Sequence, residues 1–341
     1  MKNIKLYLFL LIVVFISVIS PYMPMKSVKA KEKVFAEGRA ECLIEQNSGR
    51  ILYESHGDVR LPMASTTKVL TAVTVLETCD DLNERVEIPQ EAVGVEGSSV
   101  YLRQGEIYTV EDLLYGLMLR SGNDCAVALA LYCGGSMENF VIKMNEVAQK
   151  AGALNSHFEN PHGLPCENHY TTARDLCYIT RYAMQNPIFS KIVATEYYQP
   201  RAWKNKNKML TSYEGAIGVK TGYTKAAGRC LVSAAKRGNM TLICVVLNCQ
   251  PMFERSAQLM DDAFQSYKYV PLIKAGTALS LNENARGKVV TDYYYPLMEG
   301  EETQLEVQTR AFSTVKNQKI VGQFGIYLSK RLLFSGNLYK L

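Results

Sequence analysis

Strand-like segments sit at both ends of the first 270 residues, and helical segments fill the space between them. Ala40 to Glu45, the turn "QNSGR" and Ile51 to Glu54 read as a β-hairpin. From Ile217 the chain returns to strands: "IGVKTGYT", then "RCLVSAAK", the turn "RGN" and "MTLICVVLN". No repeated βαβ unit intervenes. This order predicts an α/β protein of the α+β kind, with one antiparallel sheet assembled from both ends and a helical insert. A helix begins near Ser65, with Ser65 or Thr66 at its start. Two more, in "TVEDLLYGLMLRSGNDCAVALALYCGG", break at Ser121-Gly122-Asn123, and Thr109 with Asp112 forms a capping box. Further helices are expected over 137–151, 173–184 and 253–267. Residues 155–171, with two prolines and three histidines, are expected to be irregular. Pro271 marks a boundary, and residues 271–341 read as a small all-β domain with strand character over 320–341.

The formal charge of +5 does not point to nucleic acid. Setting aside Lys2, Lys5, Lys26 and Lys29 leaves 34 basic residues against 33 acidic ones. Residues 1–30 read as a secretory signal: Lys2 and Lys5 start it, Leu6 to Ile19 are apolar, and Val28-Lys29-Ala30 suits cleavage. The apolar stretch is short of the ~20 residues of a spanning helix, so an uncleaved anchor is the lesser reading. An extracytoplasmic location follows, with membrane contact at most through the N-terminal segment. The nine cysteines are scattered, and Cys42, Cys125, Cys133, Cys230 and Cys244 lie among apolar residues. They are expected to be reduced, buried small hydrophobes, as a thiol titration of unfolded, non-reduced protein would test.

Chemistry enters with "PMASTTKVLTAV", residues 62–73, which sets Lys68 into a helix that otherwise reads as buried. A desolvated ammonium is paired or sheds its proton. Ser65 lies one turn before it on the same helical face, as a nucleophile lies beside its base. Ser-x-x-Lys also occurs at Ser233 and Ser313, but residues three apart in a strand face opposite ways. Ser-x-Asn occurs at Ser121, Ser280 and Ser335, and Lys-Thr-Gly once, at Lys220. The ordered set Ser65-x-x-Lys68, Ser121-x-Asn123, Lys220-Thr221-Gly222 is far more specific than any member. It resembles the pattern of penicillin-binding proteins and serine β-lactamases. More narrowly, with "ENPHGL", "HYTTARDL" and "GVKTGYTKAAGRCLVSAAKRG", the chain resembles low-molecular-mass penicillin-binding proteins, the serine D-alanyl-D-alanine carboxypeptidases, and their sporulation-type branch most.

The resemblance implies a penicillin-binding, β-lactamase-like transpeptidase domain over 31–270, no cofactor, and two kinds of partner. These are peptidoglycan stem peptides ending in D-Ala-D-Ala and β-lactam antibiotics. Ser65 attacks and Lys68 is its base, its pKa lowered by burial near Lys220. Ser121 relays a proton to the leaving amine, and Asn123 holds the substrate amide and the lysine. Strand 217–224 offers its backbone to an extended peptide. By resemblance, the N–H groups of Ser65 and Tyr223 form the oxyanion hole. Gly222 permits close approach. Lys220 and Thr221 bind the terminal carboxylate, and Arg255 matches the family's carboxylate-binding arginine by its distance from Lys-Thr-Gly.

His162 is expected to order its loop by a hydrogen bond. A zinc site from His162, Cys166 and His169 is disfavoured by their spacing. Arg174 and Asp175 read as a solvated helix face, and Trp203 with nearby tyrosines as packing. The alternatives are an endopeptidase acting on cross-links, a serine β-lactamase and a non-catalytic penicillin-binding domain. Against the β-lactamase, no Glu-x-x-x-Asn lies between Asn123 and Lys220. Against the non-catalytic domain, every motif residue is intact. Many family members continue into a C-terminal amphipathic helix. Here "FSGNLYKL" ends the chain, so no C-terminal anchor is expected.

Overall fold

The computed structural model describes residues 38–283, 285–312 and 319–341. The secretory-signal reading of residues 1–30 and the Ser313 motif lie outside the described residues. Apolar side chains on both faces of the central strands explain the layering. A five-stranded antiparallel sheet has the order β2-β1-β9-β8-β7. Its members are β1 (Ala40–Glu45), β2 (Ile51–Ser55), β7 (Ala216–Thr224), β8 (Gly228–Arg237) and β9 (Met240–Leu247). All eight residues of β9 are buried. Ile243, Val245 and Leu247 join Cys42 and Ile44 against the helical insert. Leu242, Cys244 and Val246 join Leu43 against the opposite layer. A strand covered on both sides reads as a continuous apolar run, which "MTLICVVL" is.

The insert holds α1 (Lys68–Thr78), the short strands β3 (Arg85–Glu87) and β4 (Ile107–Thr109), and α2 (Val110–Tyr115). It continues with α3 (Asn123–Gly134), α4 (Met137–Lys150), α5 (Ala173–Ala183) and α6 (Pro187–Ala194). The short β5 (Tyr197–Tyr198), β6 (Trp203–Lys204) and α7 (Met209–Ser212) lead back to the sheet. Tyr115 stacks on Tyr198 at 3.9 Å, with Trp203 beside Tyr198, so these aromatics pack against one another. The opposite face of the sheet is covered by α8 (Met252–Ser266). Among the described residues, no single helix is long and apolar enough to cross a membrane.

One helix start differs from expectation and another matches it. Ser65 lies in a 3-10 turn, Ala64–Thr67, that precedes α1, and neither Ser65 nor Thr66 caps the helix. The Thr66 hydroxyl instead donates to the Met63 carbonyl at 2.6 Å. At α2 the capping box forms: the Thr109 hydroxyl accepts the Asp112 N–H at 3.0 Å, and the Asp112 carboxylate accepts the Thr109 N–H in return. The same carboxylate also accepts from Arg201 and from the Tyr198 hydroxyl at 2.8 Å.

Beyond α8 the described residues form β-strands, with one 3-10 turn at Glu301–Gln304. β10 (Tyr267–Ile273) follows directly and pairs with β13 (Tyr293–Met298). A second five-stranded sheet has the order β11-β12-β16-β15-β14. It comprises β11 (Ala278–Asn282), β12 (Ala285–Lys288), β14 (Leu305–Ala311), β15 (Ile320–Leu328) and β16 (Arg331–Lys340). This region has its own small core of Ile273, Val289, Phe324, Ile326 and Leu338.

Candidate active site

The Ser65 turn is held from three sides. Leu61 exchanges both backbone hydrogen bonds with Thr171, at 2.8 and 3.0 Å. Ala64, just before the serine, has φ +51°, a left-handed conformation rare for a residue with a Cβ. Gly163 rests on the Ala64 carbonyl so closely that a Cβ there would lie 1.9 Å from the oxygen. From the sheet side, a Cβ on Gly222 would meet the Met63 carbonyl at 3.0 Å and the Ser65 nitrogen at 3.1 Å. The glycine of Lys-Thr-Gly thus lets β7, the edge strand, close on the Ser65 backbone.

Lys68 is fully buried. Its Nζ donates to Asn123 Oδ1 and to the His162 carbonyl, both at 2.6 Å, and lies 3.1 Å from Ser65 Oγ. Burial is the largest force pushing its pKa well below the ordinary lysine range, and the Lys220 charge adds to it. A neutral amine has two N–H donors and one lone pair. The two carbonyl oxygens accept both N–H groups, so the lone pair is left for the Ser65 hydroxyl.

Ser121 ends the wide helical turn Gly116–Arg120 in a left-handed conformation, φ +64°. Gly122 precedes α3, and Asn123 is its first residue. The Asn123 N–H donates to the Ser98 carbonyl at 2.7 Å, and its side-chain amide donates to the Glu96 carbonyl. Among the described residues neither lysine donates to the Ser121 hydroxyl. Asp124, unremarked in the sequence, is fully buried. Its carboxylate accepts the N–H groups of Val100 at 2.9 Å, Leu102 at 3.1 Å and Cys125 at 2.9 Å, and the Ser99 hydroxyl. One buried carboxylate therefore ties the 96–102 loop to the start of α3.

Lys220 is 1% exposed and donates to the Thr221 carbonyl at 3.1 Å. Burial, and then the charge of Lys206, push its pKa down to about 7. Lys206 donates to the Ser98 hydroxyl at 3.1 Å and joins the cationic group. In the sequence it sits in "KNKNK", with no motif to single it out. Tyr223 is 62% exposed at the mouth, with the Arg229 guanidinium 5.5 Å from its ring centre.

Residues 155–171 wrap the back of α1. His162 Nδ1 accepts the Leu164 N–H at 3.2 Å, while its carbonyl receives Lys68. Burial, and then Lys68, lower its pKa to about 4, so the ring is neutral. Asn160 Oδ1 accepts the Gly163 N–H at 2.7 Å, and Thr71 donates to the Pro161 carbonyl at 2.6 Å. His169 links this segment to the Ser65 turn. Its Nδ1 accepts the Glu159 N–H at 3.0 Å, which leaves Nε2–H to donate to Thr67 Oγ1 at 2.9 Å. Cys166 accepts from Asn160 Nδ2 at 3.4 Å. Among the described residues no three His, Cys, Asp or Glu side chains gather as metal ligands.

Arg255 is not brought to this site. It lies on α8, on the face of the sheet away from α1, and is 3% exposed. Its guanidinium grips Glu41 through both carboxylate oxygens at 2.8 and 2.6 Å, and donates to the Tyr53 hydroxyl at 3.1 Å. A buried fork committed to Glu41, Tyr53 and Gln258 on the far side of the sheet does not reach a substrate at Ser65, so distance along the chain does not place it. Arg174 and Asp175 are not a solvated face either. Arg174 pairs with Glu54 at 2.7 Å, and buried Asp175 accepts the Asn155 N–H and the Ser156 hydroxyl, both at 2.7 Å.

Residues 26–251 match the model of the family described as D-alanyl-D-alanine carboxypeptidase, peptidase family S11. The D-alanyl-D-alanine carboxypeptidase DacF of Bacillus subtilis is 35% identical over 274 residues, covering 76% of this chain and 70% of the relative. A D-alanyl-D-alanine carboxypeptidase of Streptomyces sp. strain K15 is 39% identical, covering 60% and 78%. Among solved structures, penicillin binding protein 5 from Haemophilus influenzae superposes with a TM-score of 0.77 at 27% identity. It covers 91% of this chain and 98% of its own. The Streptomyces K15 DD-transpeptidase superposes with a TM-score of 0.64 at 35% identity, covering 69% of this chain and 100% of its own. The chain therefore belongs to the D-alanyl-D-alanine carboxypeptidase family and is a serine hydrolase of that kind.

Proposed function

We propose that Ser65 is the acylated nucleophile and Lys68 its general base, in an enzyme that trims the last D-alanine from peptidoglycan stem peptides. The observation that carries this is the buried Lys68 amine, with both N–H groups engaged and its lone pair left for Ser65 Oγ. Ser65 Oγ bonds to the penultimate D-alanine carbonyl carbon as its proton passes to Lys68. The oxyanion is held by the N–H groups of Ser65 and Tyr223. Collapse breaks the C–N bond, and the departing amine takes a proton through Ser121. Water then hydrolyses the ester. Asn123 orients Lys68 and the substrate amide, while Lys220 and Thr221 receive the terminal carboxylate. Gly222 permits the close approach, and His162 orders the loop whose carbonyl holds Lys68.

A β-lactam presents a strained amide to the same serine and stalls as the acyl-enzyme. On this reading residues 31–270 are catalytic and 271–341 an accessory β domain, in a chain exported by residues 1–30 and acting outside the cytoplasm. The transpeptidase name of the Streptomyces structure supports a second outcome, in which an amine instead of water takes the acyl group.

The test incubates the protein and its Ser65→Ala variant with a D-Ala-D-Ala-ended peptide, with and without an acceptor amine, and separately with labelled penicillin. Release of D-alanine and a covalent penicillin adduct, both lost in the variant, are expected. Lactam hydrolysis without D-alanine release would overturn the carboxypeptidase assignment in favour of a β-lactamase.

A further inference from the structure

The outer face of the C-terminal sheet carries a regular array of hydrogen-bonding side chains. On β15, Phe324 and Ile326 point into the core, at 3% and 1% exposure, so Gln323, Gly325 and Tyr327 face outward. Strand register extends each into a row across three strands. Arg310, Gln323 and Asn337 form the first; Gln308, Gly325 and Ser335 the second; Glu306, Tyr327 and Leu332 the third. Rows of this kind lie about 6.8 Å apart along the strands. The central position is a glycine, and the space above it is taken by the Tyr327 ring. A Cβ on Gly325 would lie 2.8 Å from Tyr327 Cε2 and 3.1 Å from its hydroxyl oxygen. The phenol ring therefore leans across the sheet, and a groove of about 510 Å³ runs over Gln308, Gln323, Ser335 and Asn337.

We propose that this groove binds the glycan strand of peptidoglycan, the uncharged polymer to which the stem peptides are attached. The inference rests on the function proposed above. Its lining favours such an occupant: it holds no carboxylate, Arg310 sits at one end, and the rest of its polar surface is amides and hydroxyls. Amide and hydroxyl groups match the hydroxyl and acetamido groups of N-acetylated sugars, donor for acceptor and acceptor for donor. A leaning aromatic ring gives the C–H face of a pyranose a surface to lie on. A peptide strand would seek a sheet edge, where backbone groups are free, and not this face. Anchoring on the polymer holds the Ser65 cleft near many stem peptides at raised effective concentration.

The test uses the full chain and two probes: purified peptidoglycan sacculi, and a soluble N-acetylglucosamine hexamer as competitor. The parent protein should sediment with sacculi and be released by the hexamer. Tyr327→Ala and Gln323→Ala should each sediment roughly tenfold less well. Both should release D-alanine from a short soluble peptide at the parent rate, which also reports that they are folded. Equal sedimentation of parent and variants, or no competition by the hexamer, would overturn the proposal. The soluble-peptide assay reads the carboxypeptidase assignment separately, so failure of one is not failure of the other.

Discussion

Burial, and then the positive charge of Lys220, favour the neutral form of Lys68, while burial and the charge of Lys206 push Lys220 down to about 7. Acid therefore reprotonates Lys68 and removes the base, while alkali discharges Lys220 and weakens its hold on a carboxylate. The rate should fall on the acid side through kcat, and KM for a D-Ala-D-Ala peptide should rise as pH passes about 7. Lys206→Ala removes the neighbouring charge that depresses Lys220, so the KM limb should move to higher pH by a fraction of a unit. A limb unmoved in that variant would show that Lys220 does not control it. Gly222→Ala tests close approach in the same cleft. Its methyl would press on the Ser65 nitrogen at 3.1 Å, and a shift of even part of an ångström should slow penicillin acylation by about 10-fold or more. Acylation at the parent rate would mean that β7 gives way freely. The lysines, Ser65 and Asn123 were legible in sequence because each is a chemical type in an ordered motif. Asp124 and His169 were not, since their partners are backbone N–H groups and a hydroxyl far along the chain.

Elements carry these residues into register, and in the 96–102 loop one side chain, Asp124, takes most of the load. Asp124 accepts two N–H groups and a hydroxyl there, and that loop in turn receives Asn123 through the Glu96 carbonyl. Asp124→Ala leaves those donors without their acceptor, at about 1–3 kcal/mol for each that water cannot reach. The loop should loosen, Asn123 should lose its brace, and kcat should fall by about 10- to 100-fold with Ser65 intact. Hydrogen exchange should rise over 96–102 while α1 stays protected; unchanged exchange and kcat would show that the loop is held by other means. Strands and helices were read nearly to their ends where periodicity and turn residues agree, as in β8 and β9. The misreadings share one cause. Arg255 and Asp175 were judged by neighbours in sequence, whereas Glu41 and Asn155 lie 214 and 20 positions away from them.

At the scale of the molecule, the link between the catalytic sheet and the C-terminal strands concentrates on Arg50, at the start of the second strand of the first hairpin. Its guanidinium donates to Glu301 at 2.6 and 2.8 Å and to the Pro296 carbonyl at 2.6 Å. It also lies 5.1 and 5.2 Å from the ring centres of Tyr267 and Tyr295. The pair is mostly shielded, with side chains 14% and 21% exposed, so losing one partner leaves the other charge poorly solvated. Arg50→Ala should cost about 2–3 kcal/mol and lower Tm by several degrees. None of these contacts touches Ser65, Lys68 or Lys220, and changes at separate sites act independently. Release of D-alanine from a short soluble peptide should therefore stay within about twofold of the parent. Retention on sacculi should fall further than that, because a loosened β region no longer holds its groove in fixed relation to the cleft. If the soluble-peptide rate falls together with Tm, the C-terminal strands support the catalytic sheet itself, and treating them as a separable accessory domain is wrong.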